Sequence, residues 1–67
     1  MKLVINGETT SLDGCSTVAS MLNTLGFREE QKIAVAVNLE FVPRSAHGNF
    51  GLSEGDEVEI VAPMQGG

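Results

Sequence analysis

One stretch of this 67-residue chain carries a helical repeat: Val18, Met21, Leu22 and Leu25 fall at i, i+3, i+4 and i+7 and so share one face. A single amphipathic helix cannot cover its own apolar stripe, so the segments on either side must supply the surface that does. Both helix ends are marked. Ser16 or Thr17 supplies a hydroxyl to cap the start. Gly26 is suited to the left-handed residue that stops a helix, with Phe27 folding back against the last turn.

The flanking segments read as strands. Lys2 to Asn6 places Leu3 and Ile5 on one face, and Asn6-Gly7 is a tight-turn pair that returns the chain as Glu8 to Leu12. Asp13-Gly14 then turns it toward the helix. Beyond the helix, Arg28-Glu29-Glu30-Gln31-Lys32 is a charged connector whose adjacent carboxylates point apart on any regular element, which is a solvated arrangement and not an acid/base pair. Ile33 to Val37 is the strongest candidate for a central strand, with Ile33, Val35 and Val37 on one face and alanines on the other. Asn38-Leu39-Glu40 bends the chain, and Phe41-Val42 forms a short strand that Pro43 restricts to an edge or a strand end. The pattern is lost from Arg44 to Gly51. Glu54-Gly55-Asp56 turns into a last strand, Glu57 to Ala62, with Val58, Ile60 and Ala62 on one side and Glu57, Glu59 and Val61 on the other. The order predicts an α+β fold: one mixed sheet of four to five strands packed on one helix.

Bulk properties narrow the function. The length allows one domain, near the lower limit for folding on a hydrophobic core, and the hydrophobic share of 42% makes such a core feasible. The lone Cys15 excludes an internal disulfide, a cysteine-ligated iron–sulfur cluster and a cysteine-based zinc finger. Four Lys/Arg against nine Asp/Glu, a formal net charge of −5, argue against nucleic acid as partner, because phosphate binding depends on cationic neutralisation. No stretch approaches the roughly 20 apolar residues of a membrane span, and the opening Leu3-Val4-Ile5 run is too short for a signal peptide. The expectation is a cytoplasmic protein.

The sequence closes on Pro63-Met64-Gln65-Gly66-Gly67. Two residues without Cβ atoms can thread a narrow channel, which matters when the main-chain carboxylate is itself the reactive group. The predicted division is therefore a folded domain, 1–62, and a flexible tail, 63–67. Five extended residues reach about 17 Å, enough to enter a deep active site.

Several motifs add specificity to that ending: Ala34-Val35-Ala36-Val37-Asn38, then Glu40 with Val42-Pro43-Arg44, then Glu54-Gly55-Asp56-Glu57-Val58-Glu59-Ile60-Val61, and Gln65-Gly66-Gly67. With the opening strand and the helix, these make the chain resemble, over essentially its whole length, the thiamine-biosynthesis sulfur carriers, which are small ubiquitin-like β-grasp proteins. Leu39 departs from that pattern by standing where the family often has a small turn residue. Ala46-His47 departs by replacing an aromatic that commonly comes soon after the arginine.

The resemblance implies a carrier that is a covalently modified co-substrate and not an enzyme. An ATP-dependent adenylating enzyme would activate the Gly67 carboxylate, and sulfur from a persulfide donor would convert it to a thiocarboxylate. Thiazole synthase would then receive the sulfur. Gly66 would give access to the reactive end, and Val61, Met64 and Gln65 would be partner contacts. No cofactor would be bound by the chain itself, and no residue of it would be catalytic.

Other readings compete. Cys15, just before a helix start, is a possible nucleophile, set against a small buried cysteine with no histidine near it in sequence. His47 stands without a neighbouring ligand pair and reads as a surface residue, not a metal site. Glu54, Asp56, Glu57 and Glu59 are either a solvated turn and strand face or a patch that steers basic partners. A ubiquitin-like modifier forming isopeptides, and a molybdenum-cofactor sulfur carrier, share the same kind of ending.

Overall fold

The computed structural model describes residues 1–28 and 31–62. Strand β1 (Lys2–Ile5) turns through Asn6 and Gly7 into β2 (Glu8–Ser11), and helix α1 (Val18–Thr24) comes next. Strands β3 (Ala34–Val37) and β4 (Glu40–Val42) form a second hairpin, a 3-10 turn spans Arg44–Ala46, and β5 (Glu57–Val61) is the last described element. The five strands make one mixed sheet in the order β2-β1-β5-β3-β4. Strand β5 runs parallel to β1 and antiparallel to β3, while both hairpins pair antiparallel. The mixed sheet on one helix is as the sequence predicts.

The centre of the sheet is β5. The expected central segment, β3, lies one place off it, beside the edge strand β4 that Pro43 terminates. Strand limits also shift slightly: Asn6 belongs to the turn, with φ 51°, and Ile33 precedes β3 although it is buried. Ala62 lies beyond β5 and is exposed, so it does not join Val58 and Ile60 on the buried face. Residues 63–67, predicted as the tail, lie outside the described residues, as do Glu29 and Glu30 of the connector.

The helix is only seven residues long, too short to persist on propensity, so it depends on its caps and its buried face. Thr17 is the cap. Its side chain accepts from the Ser20 N–H while the Ser20 hydroxyl accepts from the Thr17 N–H, a reciprocal capping box. The loop after Arg44 completes the job: Phe50 O accepts from Val18 N–H at 3.0 Å and His47 O from Ala19 N–H at 2.9 Å. The stretch without periodicity thus satisfies the helix's first donors with main-chain carbonyls. At the other end, Gly26 has φ 95°, with Gly26 N–H donating to Asn23 O and Phe27 N–H to Leu22 O at 2.9 Å. These are the two bonds of a Schellman stop.

The helical stripe meets the inner face of the sheet. Val18 and Met21 are fully buried against Leu3, Val35, Val42 and Val58, with Leu12, Cys15, Leu22, Ile33, Val37, Leu52 and Ile60 completing the core. Each such side chain contributes about 1.5–3 kcal/mol on burial, which conformational entropy largely offsets.

Candidate functional site

The site predicted from the sequence is the end of β5 together with the residues beyond it. Strand β5 is held on both sides. Toward β3 it pairs continuously from Val37↔Val58 to Ala34↔Val61. Toward β1 the ladder covers only Val4↔Glu57 and Ile5↔Val58, because β1 then turns away. The Asn6 side chain continues it: Asn6 Oδ1 accepts from Ile60 N–H at 2.8 Å and Asn6 Nδ2 donates to Ile60 O at 3.2 Å. The other left-handed asparagine acts similarly at the start of the strand. Asn38 Oδ1 accepts from Glu57 N–H at 3.0 Å, its Nδ2 donates to Asp56 Oδ1, and its own N–H donates to Glu57 O. Two turn asparagines, one from each hairpin, therefore fix the central strand at both ends. In sequence they read only as turn residues.

The outer face of the sheet, away from α1, carries Phe41, Ala36 and Glu59 in one cross-strand row and pairs Ala34 with Val61. Leu39 is 88% exposed, Phe41 65% and Val61 63%. Val61, expected as a partner contact, thus stands open where the described chain approaches the tail. Met64, Gln65, Gly66 and Gly67 lie outside the described residues.

The acidic group divides. Glu54 Oε1 accepts from Lys2 N–H at 3.0 Å, and Asp56 Oδ2 accepts from Ser53 N–H at 2.8 Å, so both close the turn before β5. Glu57 and Glu59 are exposed on the outer face. Cys15 is a free thiol, 5% exposed within the core, which is the environment of a packing residue and not of an accessible nucleophile. His47 is partly buried, with Nε2 3.2 Å from Val42 O. It faces, with Arg28 and Arg44, a cavity of about 560 Å³ floored by Leu22, Phe27 and Ile33. Among the described residues no group of three or more His, Cys, Asp or Glu is placed to hold a metal ion. Among them also, no helix is long and apolar enough to cross a membrane.

A mixed sheet ordered β2-β1-β5-β3-β4 on one helix, with the last strand in the middle, defines a ubiquitin-like β-grasp domain. Its structure superposes on the crystal structure of the thiamine biosynthesis protein ThiS from Geobacter metallireducens with a TM-score of 0.81 and 30% identity, covering 100% of both chains. The solution structure of a thiamine biosynthesis protein from the same organism matches with a TM-score of 0.82 and 30% identity, over 100% of this chain and 88% of that one. Residues 3–67 match the model of the ThiS family, and the chain belongs to that family. Two relatives named thiazole synthase align with all 67 residues, at 45% identity in Paramagnetospirillum magneticum and 37% in Magnetococcus marinus. The chain spans only 20% of the length of each.

Proposed function

We propose that this chain is the sulfur carrier that supplies thiazole synthase in thiamine biosynthesis, and that Gly67 is the residue modified. The observation that carries this reading is the extent of the family match, which runs through residue 67 and so includes Gly66-Gly67. The curated relatives support the choice of partner. A segment like this one lies within longer chains that bear the name thiazole synthase, an arrangement that raises the effective concentration of carrier at the enzyme.

The chemistry begins with the carboxylate. A terminal carboxyl with a pKa of about 3.3–3.7 is anionic at neutral pH and a poor electrophile. An ATP-dependent adenylating enzyme converts it to an acyl adenylate, releasing pyrophosphate. The terminal sulfur of a persulfide then displaces AMP, and thiol cleavage of the resulting S–S bond leaves the thiocarboxylate. The carrier contributes presentation, not catalysis: β5 is fixed as far as Val61, so the residues after it start from a defined point. Gly66 gives the partner enzymes access, and Val61, Met64 and Gln65 contact them. ATP and persulfide are consumed by those enzymes in the cytoplasm, and no cofactor resides on the carrier.

Intact-mass measurement after incubation with the adenylating enzyme, ATP and a sulfur donor tests the reading. An oxygen-to-sulfur exchange localised to Gly67 is the expected result. Lysine-linked adducts without that exchange would assign the chain to the protein modifiers instead.

A further inference from the structure

Leu39 is unfavourable to the isolated fold in two ways. Its φ of 69° places a residue with a Cβ in the left-handed region, and 88% of its surface is exposed. It comes after Asn38, φ 51°, in the two-residue connection between β3 and β4, a turn that Asn-Gly forms with least strain. Glycine at 39 would keep the turn and remove both penalties, so the leucine does nothing for this hairpin that a smaller residue would not do better. Its exposure is also not solitary. Phe41, two residues on, is 65% exposed on the outer face of the sheet. A hollow of about 380 Å³ opens beside Leu39, walled by Val4, Asn6, Glu57 and Glu59, and the two glutamates are the charged groups of its lining.

We infer that Leu39, together with Phe41, is a specificity-determining contact for thiazole synthase, docking on an apolar patch of that enzyme bordered by Lys or Arg. The inference rests on the sulfur-carrier reading and names the surface by which that partner is recognised. The leucine and phenylalanine supply desolvated contact area, while Glu57 and Glu59 set the sign of the surrounding charge that the partner must complement. The contact lies at a distance from the reactive end: Glu57, beside Asn38, is four residues before Val61 along β5, about 13 Å. Docking there fixes the body of the carrier and leaves the residues after Val61 to reach inward.

The test is titration calorimetry of the full-length carrier with purified thiazole synthase, alongside thermal unfolding of the same variants. Leu39→Gly weakens binding by about thirtyfold, the onset of an interface hot spot, while its Tm stays at or above that of the parent. A role confined to folding would not move the two readouts apart. Leu39→Asn, also tolerated at positive φ, weakens binding similarly and guards against loosening by glycine. Neutralising Glu57→Gln and Glu59→Gln together reduces the salt dependence of the measured affinity. If the parent acquires the Gly67 thiocarboxylate but Leu39→Gly and Leu39→Asn bind thiazole synthase as tightly as it does, the docking inference falls and the carrier reading stands. If the parent never acquires the thiocarboxylate, both fall.

Discussion

The side chain of Asn6 bonds both main-chain groups of Ile60, accepting from its N–H at 2.8 Å and donating to its carbonyl at 3.2 Å. A turn residue thereby takes the place of a strand residue. The parallel pairing of β1 with β5 ends as β1 enters its hairpin, and without the amide Ile60 would lack these partners three residues before Pro63. The same asparagine holds φ 51°, so one residue both makes the turn and secures the central strand β5.

Substitutions at Asn6 separate those two roles. Asn6→Gly keeps the left-handed backbone and removes the amide, so it destabilises by about 1–2 kcal/mol, the worth of two hydrogen bonds that water partly replaces. Asn6→Ala removes the amide and adds a strained φ, about 1 kcal/mol more. Urea unfolding of the pair is the measurement. Equal stability of the glycine variant and the parent would show that the Ile60 bonds contribute nothing.

Gly26 offers a purely conformational test. A Cβ built there meets no atom within 4 Å, yet φ is 95°. Gly26→Ala therefore destabilises through backbone strain alone, by about 1–2 kcal/mol. In a domain of this size each kcal/mol lowers Tm by about 4–8 °C. Preserved core chemical shifts in the variant would confirm that nothing was displaced.

How much of this is legible in the sequence depends on which forces leave a side-chain signature. The helix does, because Val18, Met21 and Leu22 must face one way to be buried, and all three are. The Asn6-Gly7 turn does, because few residues accept two positive φ values in succession. The position of β5 at the centre does not, since its alternation of Val58 and Ile60 with glutamates is what any strand with one buried face shows. The order of strands is decided by tertiary pairing. Nor is the work of the segment from Arg44 to Gly51 visible: it serves α1 with the carbonyls of His47 and Phe50, and every residue has a carbonyl. Asn38-Leu39 reads in sequence only as a bend, because leucine carries no preference for the left-handed conformation that it adopts there. Glu54 and Asp56 read as part of a solvated or steering face, whereas they accept main-chain N–H bonds that shape the turn into β5.

Opposite faces of the sheet respond differently to polar substitution. Val35 is 1% exposed at the heart of the core, so Val35→Asp buries a charge with no partner and leaves the chain unfolded by circular dichroism. A core of this size supplies only about 3–5 kcal/mol in all, less than such a penalty. Phe41→Ser, one strand over on the outer face, keeps the native spectrum. A folded Val35→Asp variant would contradict the assignment of the inner face.

Changes at Cys15 and at the C-terminal residue separate the thiol from the terminal carboxylate as the seat of chemistry. Cys15, in the segment joining β2 to α1, is buried in the core, so Cys15→Ser loses some stability by burying a hydroxyl, about 1–3 kcal/mol, but leaves sulfur loading at Gly67 intact. Deleting Gly67 leaves the carboxylate one residue short, on Gly66, and appending residues turns the Gly67 carboxyl into an amide, so each change abolishes loading at residue 67. The described core runs from Leu3 to Ile60, so neither change at the end lowers Tm. Intact mass and thermal unfolding on the three variants give opposite patterns for the two hypotheses. Complete loss of loading in a folded Cys15→Ser variant, or a thiocarboxylate formed at residue 67 of an extended chain, would overturn the assignment of Gly67.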